Sequence, residues 1–223
     1  MRILTHEPDG MALSALWGTF VHKRTFAGHA AQRDAMLDVL FDLKAKGAGR
    51  GRGENIRLFE SHYDLFDRLA GTACFRDFLA FARETFLDVA GRVNRDPWSR
   101  KGVTRDDVAL RIVDSWFIEY SEQGFVLPHS HGGSWSCVYY LQKDPSAGAQ
   151  NGATYLLSPR TKLDDRHDLG NSYLSNSSFV IEAEEGDLVI FPSHIVHGSL
   201  PTVGRTNKVI ISANAEFVVS SNA

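Results

Sequence analysis

The sequence predicts an α+β fold, with helices packed outside an antiparallel β-roll. Three observations carry this reading. Up to about residue 107 the apolar residues recur at helical spacing, and from about Val108 the period falls to two. The second half also ends two apolar, β-branched runs in histidines: Pro128-His129-Ser130-His131, and Phe191-Pro192-Ser193-His194-Ile195-Val196-His197.

The helical half comes first. Ala30 to Lys46 carries Ala35, Met36, Val39, Leu40 and Leu43 at helical intervals. Ser61 to Val93 repeats the pattern through Leu65, Leu69, Phe75, Phe78, Leu79, Ala82, Phe86, Val89, Ala90 and Val93. Arg76, Asp77, Arg83, Glu84 and Asp88 fill the other positions, as expected of an amphipathic helix lying on a core. Between these helices lies Gly47-Ala48-Gly49-Arg50-Gly51-Arg52-Gly53. It lacks the Gly-Lys-Ser/Thr ending of a phosphate-binding loop, so a mobile loop is expected, in which Arg50 and Arg52 are cations available to an anionic substrate.

Strands are expected at Val108 to Glu119, Ser134 to Leu141, Ala153 to Leu157, Phe179 to Ala183, Asp187 to Phe191 and Lys208 to Val219. Glu184-Glu185-Gly186-Asp187 reads as a tight turn between two of them. Asp144 to Gly152 and Pro159 to Ser178 are polar connections, the second long enough for a functional loop or lid. A closed barrel or a double-sheet roll would protect the edge strands of such a set. No linker or repeat divides the 223 residues. The chain reads as one domain over 1–223, mainly helical over 1–107 and a roll over 108–219.

Composition excludes several functions. Lys and Arg number 24 against 27 Asp and Glu, for a net charge of −3. No basic excess is available to neutralise phosphates, so neither nucleic acid nor a membrane surface is an expected partner. No apolar run approaches spanning length, and the stretch from Met1 to Gly10 lacks an apolar signal core. A cytoplasmic protein is expected. Cys74 and Cys137 share no metal spacing and fit thiols in a reducing compartment, with a single disulfide the other option. No Gly-x-Ser-x-Gly elbow is present, which disfavours a hydrolase.

The histidines carry the chemistry. On a strand, residues i and i+2 share a face, which puts His129 and His131 on one side, roughly 6.6 Å apart along the backbone. A third imidazole from a distant strand would complete a facial ligand set with open positions, a geometry used mainly for non-haem iron. His197 and His194 are the two candidates for that third position. A zinc site with four ligands and no opening would instead indicate a non-catalytic binding module.

Over roughly residues 108 to 217 the chain resembles the 2-oxoglutarate- and Fe(II)-dependent oxygenases. The resemblance rests on Trp116, Pro128-His129-Ser130-His131, Trp135-Ser136-Cys137-Val138-Tyr139-Tyr140-Leu141, Gly152, Ser158-Pro159-Arg160, Gly186-Asp187-Leu188-Val189-Ile190-Phe191-Pro192-Ser193, His197 and Lys208-Val209-Ile210-Ile211-Ser212-Ala213-Asn214. It implies a double-stranded β-helix, or jelly-roll, core. It also implies Fe(II) held by His129, His131 and His197 as metal and catalytic residues, and 2-oxoglutarate and dioxygen as co-substrates. Oxidative decarboxylation to succinate would accompany oxidation of a small-molecule or peptide substrate, with a homodimer as an allowed assembly.

By position Lys208, eleven residues beyond His197, matches the family's basic residue for the distal carboxylate of 2-oxoglutarate, with Arg205 the substitute if the strand register differs. A solvated strand-end lysine is the bland alternative for Lys208. Tyr140, with Tyr139, Tyr155 and Trp135, either lines the cavity or packs as core. Asn214 either orients a carboxylate or ends a sheet contact. One departure matters: His131 stands where most of the superfamily has Asp or Glu. Three neutral imidazoles leave Fe(II) its full charge, as in three-histidine dioxygenases of cupin type that use no 2-oxoglutarate. The glutamate that usually follows the cupin pair is absent, because Gly132-Gly133-Ser134-Trp135-Ser136 intervenes.

Overall fold

The computed structural model describes residues 18–50, 57–144, 148, 150–160, 177–204 and 207–220, together with the backbone of 3–6 and 12–15. A hairpin of β1 (Ile3–His6) and β2 (Ala12–Ala15) precedes β3 (His22–Thr25), α1 (His29–Ala45) and β4 (Leu58–Glu60). The helices α2 (Leu65–Leu69), α3 (Ala73–Val93) and α4 (Arg95–Ser99) follow, and a 3-10 turn at Arg105–Asp107 leads into the strands. These are β5 (Val108–Tyr120), β6 (Trp135–Gln142), β7 (Thr154–Leu157), β8 (Ser178–Val180), β9 (Asp187–Pro192), β10 (His197–Ser199) and β11 (Lys208–Val219).

The strands make a six-stranded sheet in the order β3-β9-β6-β11-β5-β4 and a three-stranded sheet in the order β10-β7-β8. Every pairing within the two sheets is antiparallel. They form a double-sheet roll; the sheets do not close into a barrel.

Strand parity separates two cores. On β11, Val209, Ile211, Ala213 and Ala215 face α1, α2 and α3 along with Phe117, Cys137, Tyr139, Leu188 and Ile190. Ile210 points the other way, into the roll, with Trp116, Ile118, Tyr120, Val138, Tyr140, Val189 and Phe191. Each central strand thus buries both faces, which explains its near-continuous apolar run. The helix-side core is rich in rings: Phe78 lies 4.3 Å from Tyr139 and 5.9 Å from Phe26.

Several expectations need correction. The run from Ser61 to Val93 is two helices, α2 and α3, separated at Gly71 and Thr72. The first half also contains strands, two of which extend the large sheet. His22-Lys23-Arg24-Thr25 of β3 is a polar edge strand paired only with β9, so it shows no apolar alternation. The strand expected over Phe179 to Ala183 ends at Val180. The turn at Glu184 to Asp187 is present, closed by the Asp187 N–H donating to Glu184 O at 3.1 Å. Its Gly186 has φ of 87°, and a Cβ there would sit 3.0 Å from the His29 ring.

Candidate metal centre

Two backbone links bring the histidines together. His129, in the loop between β5 and β6, and His197, at the start of β10, form an isolated antiparallel bridge. The His131 N–H donates to Ser193 O at 3.0 Å, and the Ser193 N–H donates to Ser134 O at 3.1 Å. The loop after Pro128 is therefore held against the loop after Pro192 on both sides of the histidine pair.

The three rings cluster. Their centroids are 4.7 Å apart for His129 and His131, 4.5 Å for His129 and His197, and 5.0 Å for His131 and His197. One ligand atom from each lies within 4.8 Å of the other two. His197 is buried and the other two are half-buried. His194 is exposed and stands outside the cluster.

The second ring nitrogens fix the tautomers. Nδ1 of His129 meets Leu127 O at 2.8 Å, and Nδ1 of His197 meets Ile195 O at 2.9 Å. A carbonyl can only accept, so each Nδ1 carries the proton and donates it. Each Nε2 is left with a lone pair for a metal. Burial lowers the pKa of His197 to about 4, and the neighbouring His129 adds to the effect. The imidazole is thereby kept neutral, as metal ligation requires.

The cluster opens onto a narrow cleft of about 40 Å³ between the two sheets. Trp116, Tyr63 and Phe191 form apolar wall, while Ser136, Ser212 and Thr154 contribute hydroxyls. Tyr63 and Glu60, both on the wall, were not evident in the sequence. They arrive there because β4 pairs with β5, a long-range pairing with no local signal.

Lys208 occupies the inner face of β11, fully buried. Its ammonium lies 4.3 Å from the Tyr120 ring centroid and 5.5 Å from that of Tyr140, and donates to Gly152 O. Tyr120 in turn lines the cleft. Among the described residues Lys208 has no carboxylate partner. Burial, with Lys143 second, pushes its pKa down to about 7. A solvated strand-end lysine is excluded.

Tyr140 is buried behind the cleft, its OH donating to Thr154 Oγ1 at 2.7 Å. Tyr139 and Trp135 face the helices instead, since they have the opposite parity on β6; the Tyr139 OH meets His29 Nδ1 at 2.8 Å. Asn214 joins a buried polar chain in which Ser136 Oγ lies 2.7 Å from Asn214 Oδ1 and 2.9 Å from Ser193 Oγ. Arg205, residues 51–53 of the glycine-rich loop and residues 161–176 of the long connection lie outside the described residues. Cys74 and Cys137 are both free thiols.

Fold and site together define a jelly-roll protein with a three-histidine cluster open to a cleft. Residues 114–214, which hold all three histidines, match the family model described as "Putative 2OG-Fe(II) oxygenase". Over that stretch, a little under half of the chain, the sequence is similar to the 2OG-Fe(II) oxygenases. No curated protein sequence matches it.

Solved structures share its fold. A Pseudomonas putida prolyl-4-hydroxylase superposes with TM-score 0.52 at 15% identity, over 87% of this chain and 91% of its own. The viral collagen prolyl hydroxylase vCPH from Paramecium Bursaria Chlorella virus-1, solved as a 2OG complex, gives 0.54 at 12%, over 89% and 96%. HygX from Streptomyces hygroscopicus, solved with nickel and 2-oxoglutarate bound, gives 0.51 at 11%, over 91% and 84%. Among the described residues no helix is long and apolar enough to cross a membrane.

Proposed function

We propose that the chain is a mononuclear non-haem Fe(II), 2-oxoglutarate-dependent dioxygenase that hydroxylates or otherwise oxidises a small-molecule or peptide substrate. The observation that carries this reading is the convergence of three imidazoles, with ligand atoms within 4.8 Å, on a cleft in a family-matched core. The donor set fits the metal: His129 and His197 each present an unprotonated Nε2, and His131 completes a face that leaves other positions open. Bound there, Fe(II) with 2-oxoglutarate and dioxygen would supply the oxidising power.

The chain's own residues do the rest. Lys208, seated between Tyr120 and Tyr140, would hold the distal carboxylate of 2-oxoglutarate as a point charge. A buried amine without a carboxylate beside it is costly, and an incoming carboxylate offsets that cost. Tyr140 acts here by backing Lys208, and Asn214 by fixing Ser136 on the cleft wall. Trp116, Tyr63 and Phe191 exclude water from the reacting side.

Three neutral ligands have an electrostatic consequence. With a dianionic co-substrate the metal, ligands and co-substrate sum to zero charge, whereas a carboxylate ligand in place of His131 would make the sum −1. The test is turnover: purified protein with Fe(II), 2-oxoglutarate and air should form succinate, followed by proton NMR, and His197→Ala should not. Iron uptake without succinate formation or 2-oxoglutarate binding would shift the assignment to a three-histidine dioxygenase acting on a chelating substrate.

A further inference from the structure

A row of aromatic rings in tilted contact leads out of the metal centre to a cation. The Trp116 ring lies 5.1 Å from His131, and Tyr63 lies 5.1 Å from Trp116. The Arg50 guanidinium carbon then sits 4.0 Å from the Tyr63 ring centroid. His131, Trp116 and Tyr63 all line one cleft, so Arg50 stands at its rim.

Arg50 is held there by backbone. Its N–H donates to Glu60 O at 2.9 Å, the His62 N–H donates to Ala48 O at 3.1 Å, and Gly49 bridges Ser61 between them. A Cβ at Gly49 would fall 2.5 Å from the Phe59 ring, so only glycine lets the segment lie this close to β4.

Among the described residues the other cations near acidic groups differ from Arg50 in their partners. Arg24, Arg33, Arg68, Arg105 and Arg111 each meet a carboxylate. Among the described residues Arg50 meets none, and it is exposed. A guanidinium held over a ring face by cation–π attraction spends no N–H donor on a carboxylate, and its donors suit a bidentate anion. The nearby Glu60 is 3% exposed, and it holds Arg50 through its backbone carbonyl.

We propose that Arg50 is a specificity-determining residue that binds an anionic group of the substrate, a carboxylate or a phosphate, while an apolar body lies along Tyr63 and Trp116 toward the metal. The inference rests on the oxygenase reading, because the substrate must lie beside the iron.

The experiment uses the full chain loaded anaerobically with Fe(II) and 2-oxoglutarate. Matched probes, 4-phenylbutyrate, phenylpropyl phosphate and neutral 4-phenylbutyramide, are titrated while the broadening of their NMR lines by the metal is followed. Wild type should bind at least one anion about tenfold or more tighter than the amide. Arg50→Gln should erase that preference, and Arg50→Lys should keep part of it. The preferred probe distinguishes carboxylate from phosphate.

Equal behaviour of the three probes, no binding by any of them, or a preference that survives Arg50→Gln overturns the proposal. So does an anion that binds only by displacing 2-oxoglutarate from the metal. Failure of Fe(II) and 2-oxoglutarate to bind before any probe is added would instead overturn the oxygenase reading, and the two failures are separately visible.

Discussion

His129 and His197 exchange both of their backbone hydrogen bonds, the His129 N–H donating to His197 O at 2.9 Å and the His197 N–H to His129 O at 2.8 Å. Such a pair holds its Cα atoms about 5.5 Å apart whatever the side chains are. The spacing of the two imidazoles is therefore set by the main chain. His129→Ala should keep the far-UV circular dichroism of wild type while Co(II) affinity, measured by the visible spectrum, falls by about a hundredfold or more. Unchanged affinity would remove His129 from the ligand set.

Lys208 gives a pH dependence with a definite sign. Its folded pKa, about 7, lies below an unfolded value of about 10.4, so across that window the unfolded chain binds more protons. Stability of the metal-free protein should therefore rise with pH from about 7 to about 10 through this group. Binding a carboxylate needs the protonated amine. Affinity for 2-oxoglutarate should be level below about pH 7 and weaken above it, as read by calorimetry at several pH values. Lys208→Met should raise the Kd about tenfold or more without lowering the apo Tm, because a buried amine is exchanged for an apolar chain of similar length. A Kd that ignores both pH and the substitution would contradict the role.

Ser136 ties the cleft wall to the loop carrying His131. It has one proton, which goes to Asn214 Oδ1 at 2.7 Å because that oxygen only accepts, and its lone pair receives the Ser193 hydroxyl at 2.9 Å. Ser136→Ala would leave two buried partners unsatisfied, costing about 1–3 kcal/mol in urea denaturation. Co(II) affinity should fall as well, since Ser193 O is the acceptor for the His131 N–H. Loss of stability with metal affinity unchanged would confine Ser136 to a structural role.

Gly186 supplies a control away from the metal. At φ of 87°, with the His29 ring 3.0 Å from any added Cβ, Gly186→Ala should cost about 1–3 kcal/mol and leave metal affinity alone. Chemical denaturation and Co(II) titration read the two quantities independently.

These residues also show what a sequence can carry. The period of two from Lys208 to Val219 was legible because alternate residues fill different cores, Ile210 in the roll and Ile211 against the helices. His129, His131 and His197 were legible because histidines ending apolar runs mark strand mouths. The parity of Tyr139 and Tyr140 was not, since a strand buried on both faces is apolar throughout and does not show which side faces the cleft. Glu60 and Tyr63 were invisible as site residues because β4 joins β5 across a long sequence separation; Arg50 was legible as a cation in the glycine-rich loop, but its seat on Tyr63 was not. The polar edge strand at His22–Thr25 has no core-facing stripe to announce it.

The central claim is most directly tested by anaerobic titration of metal-free protein with Fe(II) and then 2-oxoglutarate, watching for the visible metal-to-ligand charge-transfer band. The account predicts a band in wild type that His131→Ala loses. Iron bound with no band on adding 2-oxoglutarate, or a band that His131→Ala retains, would contradict it.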